Sequence, residues 1–163
     1  MAYRVFISHS VRDQRLVIML SRLLAEFGVE PVVAEWYLSP GEPLADKIVR
    51  HIDGADCVVA LLTSEGIRSN WVHQEVGIAL KNPRKPVIPL VEKGTSAGDL
   101  AALHGKEYIE YDPRHPFDAL QRAATHVRRL HLAEEERRQG LLLAGAIVAF
   151  LLLLAGDSDD SRL

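Results

Sequence analysis

The sequence predicts a doubly wound parallel α/β fold, a five-stranded sheet in the flavodoxin-like order 2-1-3-4-5, with one transmembrane helix appended at the C-terminus. Two observations predict the sheet. Short apolar runs rich in β-branched residues alternate with amphipathic helical periods. Those runs are nearly continuous in apolar character, as strands covered on both faces are. A third observation, a stretch over 140–156 without a charged or polar side chain, predicts the appended helix.

In chain order, Val5-Phe6-Ile7, Pro31-Val32-Val33, Cys57 to Leu62, Pro86 to Val91 and Tyr108-Ile109 read as strands. Between the first two, Leu16, Val17, Leu20, Leu23, Leu24 and Phe27 recur at three- and four-residue spacings, which predicts a helix from Asp13 to Phe27, ended by Gly28. Asp46 to Ile52, Asn70 to Leu80 and Pro116 to Leu132 supply the later helices, with a short helical turn near Asp99 to Leu103. Right-handed crossovers between such units give the order above. In these sheets ligands bind at the carboxyl ends of the strands where the strand order reverses. The loops after Ile7, Val33 and Leu62 meet there.

The chain's 163 residues, 48% of them hydrophobic, suit one domain with a sizeable core. Its 19 Lys+Arg against 22 Asp+Glu give no basic excess and argue against a nucleic-acid partner. The single cysteine, Cys57, lies in an apolar run and reads as a small buried hydrophobe, which excludes a disulfide framework. Met1-Ala2-Tyr3-Arg4 runs directly into the first strand without the pattern of an export signal, so the domain is expected to be cytoplasmic.

Four segments are expected: a domain over 1–135, a basic link over 136–139, a transmembrane helix over 140–156 and an acidic tail over 157–163. At about 1.5 Å per residue the apolar run is about 25 Å long, near the short limit for crossing a bilayer. Arg128, Arg129, Arg137 and Arg138 precede it and Asp157, Asp159 and Asp160 follow it. That asymmetry predicts a single-pass C-terminal anchor in a lipid bilayer with the domain in the cytoplasm. Gly145 and Ala149 form a small-xxx-small pair of the kind that lets spans pack closely.

The chemistry-bearing residues cluster after the first, second and third strands. Ser69 or Asn70 caps a helix whose first turn holds Trp71, and Glu75 lies one turn later on the same face. The helical neighbours of Glu75 are Trp71, Val72, Ile78 and Ala79, with no lysine or arginine placed to pair with it. A carboxylate in such surroundings is a candidate for chemistry. Ser8-His9-Ser10 with Asp13 leads from the first strand into a helix, and the exposed N–H groups of such a turn suit an anion or simply a cap. Trp36 and Tyr37 stand in a loop stiffened by Pro40 and Pro43, where they could stack on a base or a neighbouring subunit. The 7 histidines show no metal-ligand spacing, so no metal is expected. Neither a Gly-x-Gly-x-x-Gly turn nor a P-loop occurs, and Thr63-Ser64-Glu65 stands where a receiver domain of the same fold would place an aspartate.

Taken together, Phe6-Ile7-Ser8-His9-Ser10 with Asp13, Leu38-Ser39-Pro40-Gly41-Glu42 and Trp71-Val72-His73-Gln74-Glu75 resemble the Toll/interleukin-1 receptor (TIR) family over residues 3 to 132. The three stretches look like its first box, its BB loop and the Trp-x-x-x-Glu helix of its NAD-cleaving microbial members. The resemblance implies an NAD+ nucleosidase that needs no cofactor, NAD+ being its substrate. It would release nicotinamide and form ADP-ribose or a cyclic isomer. By the same resemblance Glu75 is the catalytic residue, and Phe6, Ser8, His9, Trp36 and Trp71 hold the dinucleotide. The resemblance further implies other TIR domains as partners, activation by homo-oligomeric assembly, and a place in antiviral defence or cell-death signalling. The alternative it leaves open is a non-enzymatic adaptor acting through TIR–TIR contacts. Ala34 followed by Glu35 departs from the acidic residue many members carry just after the second strand.

Overall fold

The structure, a computed structural model, describes residues 2–34, 43–96, 103 and 105–156. Five parallel strands form one sheet: β1 (Tyr3–Ser8), β2 (Val29–Val32), β3 (Cys57–Leu62), β4 (Val87–Glu92) and β5 (Ile109–Tyr111). Their order is β2-β1-β3-β4-β5, as the sequence predicts. β3 is buried along its whole length. This is the reason it carries an unbroken apolar run, because in a parallel sheet layered between helices neither face meets water. The last strand lies slightly later than expected. Ile109 pairs with Leu90 of β4, while Tyr108 stays outside the ladder and half exposed.

A 3-10 turn (Val11–Asp13) leads from β1 into α1 (Gln14–Glu26), so the helix starts one residue after the expected Asp13. Val17, Leu20 and Leu24 form its buried face, and it ends at Gly28, whose φ of 71° is the left-handed conformation that glycine adopts without strain. α2 (Leu44–Asp53) and α3 (Asn70–Lys81) follow β2 and β3. Ile48 and Ile52 of α2 join Phe6, Val32, Val58 and Ala79 in one core cluster. Val72 and Val76 of α3 pack with Ala60, Leu62, Val91 and Leu103 in another. Each such side chain contributes about 1.5–3 kcal/mol on full burial, which is what anchors the two helices to the sheet. Cys57 is fully buried at the start of β3, and that burial pushes its thiol up to about 12.

Residues of the final helix, α4 (Pro116–Gly156), fall into two compact units, Met1–Arg128 and Arg129–Leu163. In the first, Ala119, Leu120, Ala123, Ala124 and Val127 are buried. In the second, Glu134 pairs with Arg137 at 2.8 Å and Arg138 at 3.2 Å. These i,i+3 and i,i+4 contacts lie along one helical face and let the charged stretch continue as helix where the sequence suggests a link over 136–139. Leu141, Leu142, Leu143, Ile147, Phe150 and Leu153 are exposed.

The transmembrane helix expected over 140–156 is corrected in one respect: among the described residues no helix is long and apolar enough to cross a membrane. The physical reason is length: the apolar run over 140–156 reaches about 25 Å at about 1.5 Å per residue, short of the ~30 Å of a hydrocarbon core, and the helical stretch before it is charged. The turn expected near Asp99, the loop Leu38 to Glu42 with Trp36, and the acidic tail over 157–163 lie outside the described residues.

Candidate functional site

β1 lies between β2 and β3, so the strand order reverses at β1. The carboxyl end of β1 there presents Ser8, and α3 descends from the end of β3 bearing Glu75. The Ser8 hydroxyl donates to Glu75 Oε2 at 2.5 Å. Both residues are buried, Ser8 fully and Glu75 at 6% exposure. The contact joins a hydroxyl and a carboxyl group that both lie away from solvent. The loop that follows β1 continues with His9, whose ring Nδ1 lies 3.1 Å from the Ile7 carbonyl oxygen.

α3 is aimed by its cap. The Ser69 side chain accepts from the Val72 N–H at 3.5 Å and the Ser69 carbonyl accepts from the His73 N–H at 3.2 Å. The His73 ring, on the same helix as Glu75, reaches the Ile67 carbonyl oxygen at 2.5 Å. That contact ties the helix to the loop before it and gives His73 a local structural task. Trp71 is 47% exposed and stands on the outer part of the first turn, with Glu75 one turn inward.

Below the β1 loop, Ser10 and Asp13 form a reciprocal capping box on the 3-10 turn. Asp13 Oδ2 also accepts from the Thr63 hydroxyl at 2.9 Å, and Thr63 Oγ1 in turn accepts from the Gly66 N–H at 2.7 Å. Burial raises the Asp13 carboxyl above its ordinary value, opposed by the bonds from Thr63 and Ser10 and by His9, and assisted by Glu92. At the ends of β3 and β4 a separate cavity of about 310 Å³ is lined by Ser64, Ile67, Arg68, Glu92 and Lys93 among others. Glu92 there accepts from the Ser64 N–H at 2.6 Å and the Tyr111 hydroxyl at 3.1 Å.

Of the residues named from sequence, Ser8 and Glu75 meet at the carboxyl-terminal edge of the sheet, with His9 next to Ser8 in the chain. Phe6 is wholly buried in the apolar cluster with Val32 and Ile48, under that edge. Trp36 lies outside the described residues. Among the described residues, three buried polar side chains were given no part in the site by the sequence reading: Ser21, Thr63 and Lys47. Thr63 bridges to Asp13 across a separation of 50 residues. Lys47, at the start of α2, is 5% exposed, and among the described residues its ammonium has no hydrogen-bond partner. Its position beside the hydrophobic Ile48, on the buried side of an amphipathic helix, was the available signal. Among the described residues no group of three metal-ligating side chains occurs.

A family model described as the TIR domain matches residues 5–124. The TIR domain of a Toll-related receptor from Hydra magnipapillata superposes with a TM-score of 0.59 at 18% identity, covering 82% of this chain and 97% of that one. A TIR-STING receptor from C. gigas gives 0.61 at 22% identity, covering 74% of this chain and 38% of that one. A CMP N-glycosidase from Clostridium botulinum gives 0.56 at 20% identity, covering 76% and 98%. No curated protein matches the chain. At these identities the superpositions establish the fold.

Proposed function

The chain belongs to the TIR-domain family, and from that premise we propose that it is an NAD+ nucleosidase, cleaving the bond between nicotinamide and ribose with Glu75 as its catalytic residue. The observation that carries this reading is the buried Ser8–Glu75 pair at the switch-point edge of the sheet. A carboxylate fixed by a buried hydroxyl is pre-oriented for a cationic centre, and little reorganisation is needed when charge develops.

The reaction suits one such group. The C–N bond breaks heterolytically and its electron pair leaves with the pyridinium nitrogen, so nicotinamide departs neutral without a general acid. Positive charge passes to the ribose as an oxocarbenium-like centre, the species that carboxylates stabilise in glycoside hydrolysis. Water then adds to that centre and loses a proton to give ADP-ribose, or an adenine nitrogen closes the ring. The Clostridium botulinum neighbour, named as a CMP N-glycosidase, is a precedent for cutting a base from a ribose on this fold.

Trp71, half exposed one turn above Glu75, supplies a surface against which a planar ring can stack. Homo-oligomeric assembly with other TIR domains completes the site and switches it on. The exposed apolar side chains from Leu141 to Leu153 attach the protein to a lipid bilayer, and Arg137 and Arg138 before them favour the cytoplasmic leaflet.

The test is nicotinamide release from NAD+ by purified protein in liposomes at several protein concentrations, for wild type, Glu75→Ala and Glu75→Gln. We expect release that rises more than linearly with concentration and falls by about 10²–10³-fold or more in both variants. Turnover that survives Glu75→Gln would remove Glu75 from its assigned role. Absence of turnover in wild type, even when crowded on liposomes, would favour a TIR adaptor.

A further inference from the structure

We infer that the Asp13–Thr63 pair is a strut that sets the catalytic geometry, with both residues acting as positioning residues for Ser8 and Glu75; this rests on the reading of the site proposed above. Ser8 and Glu75 arrive from different elements. Ser8 ends β1, whereas Glu75 depends on where the loop from Leu62 to Ser69 delivers α3. A 2.5 Å bond between them requires those two loops to be held in register.

The described residues supply one continuous chain of contacts that does this. On the β1 side, Asp13 Oδ2 accepts the Ser10 N–H at 3.2 Å, two residues beyond Ser8. On the β3 side, the same oxygen accepts the Thr63 hydroxyl at 2.9 Å, the first residue after the strand. Thr63 Oγ1 then accepts the Gly66 N–H at 2.7 Å, and the Thr63 carbonyl accepts the Ile67 N–H at 2.8 Å. The Gly66 carbonyl accepts the Ser69 N–H at 3.0 Å, and Ser69 caps α3. From Asp13 to the helix of Glu75, each step is a hydrogen bond between described residues.

Crowding reinforces the path. A Cβ added at Gly66 would lie 2.4 Å from the Leu61 carbonyl oxygen and 3.1 Å from the Thr63 nitrogen, so the turn is packed directly on the end of β3. Asp13 and Thr63 are 8% and 3% exposed, which keeps water from replacing either partner. Neither residue touches the Ser8–Glu75 bond. Their effect on it passes through backbone placement, and a displacement of about 1 Å can cost on the order of 100-fold in rate.

The test compares Thr63→Val, which removes the hydroxyl at nearly constant shape, with Thr63→Ser, which keeps it, and adds Asp13→Ala and Asp13→Asn. Two readouts are taken: kcat and KM for NAD+, and amide hydrogen exchange at Gly66, Ile67 and Ser69. We expect Thr63→Val and Asp13→Ala to lower kcat by about 10- to 100-fold with KM changed less than about threefold. Thr63→Ser and Asp13→Asn, each of which keeps a hydrogen-bonding oxygen in place, should stay within about threefold of wild type. Exchange at the three amides should rise in the first pair of variants and not in the second.

Wild-type kcat in a folded Thr63→Val protein would overturn the inference, as would equal losses in Thr63→Val and Thr63→Ser. The exchange readout needs no turnover. If wild type cleaves no NAD+ while Thr63→Val still loosens Gly66 to Ser69, the strut stands and the activity reading falls. If exchange is unchanged, the strut falls whatever the activity.

Discussion

Replacing Ser8 by alanine isolates the bond on which the candidate site is built. The hydroxyl is fully buried and donates at 2.5 Å to Glu75, itself 6% exposed. A hydrogen bond to a charged group contributes about 1.5–3 kcal/mol, and a buried acceptor left short of a partner costs about 1–3 kcal/mol. The volume lost is one oxygen, so the cavity component is small. We therefore expect Ser8→Ala to destabilise the protein by about 2 kcal/mol. For a cooperative unit the size of Met1–Arg128 this corresponds to about 8 °C in Tm, at about 4 °C for each kcal/mol.

The assay is thermal denaturation followed by circular dichroism for wild type, Ser8→Ala, Glu75→Gln and the double variant. The cycle assigns the loss to the pair and not to Ser8 packing, and a coupling of about 1–2 kcal/mol is expected. A Ser8→Ala melting point within about 2 °C of wild type, or strict additivity with Glu75→Gln, would refute the claim that this bond is strong and specific.

Two further expectations concern the thiol and the tail. Because burial lifts the Cys57 thiol to about 12, it should resist iodoacetamide in the native protein from pH 7 to pH 9 and react only after denaturation. Rapid native-state alkylation at pH 8, read by mass spectrometry, would contradict its placement in β3. Deleting residues 140–163 should abolish flotation with liposomes containing anionic lipid while leaving the melting of the remaining domain within about 2 °C, since exposed surface changes rarely exceed ±0.5 kcal/mol. Flotation of the truncated protein would show that the apolar end of α4 is not what holds it to lipid.

Much of the fold was legible because local signals and the global arrangement agree. Cys57 to Leu62 is apolar at every position, and the structure buries every position. The three- and four-residue spacing of Leu16 to Phe27 became α1, and alternation with right-handed crossovers gave the strand order. The change in composition near Arg138 is visible in sequence, and the helix runs through it because glutamate and arginine are good helix formers and pair along one face.

For the site, Ser8 and Glu75 were each visible as residues out of keeping with their surroundings, but their bond joins positions 67 apart and no spacing rule reaches that far. The Asp13–Thr63 contact, 50 apart, was hidden for the same reason. Thr63 was noted only for not being an aspartate. Sequence could single out individual residues, whereas the sheet's topology decides which of them meet.

Cys57 leaves the protein with an experimental freedom. It is the sole cysteine in the chain and lies out of reach of solvent in the native fold. A second cysteine introduced at an exposed position such as Val11 or Phe117 would carry a fluorophore, spin label or crosslinker alone, without first engineering the native thiol away. Distances between labelled copies could then be followed as the protein concentration rises, in the wild-type core and with the Ser8–Glu75 pair untouched.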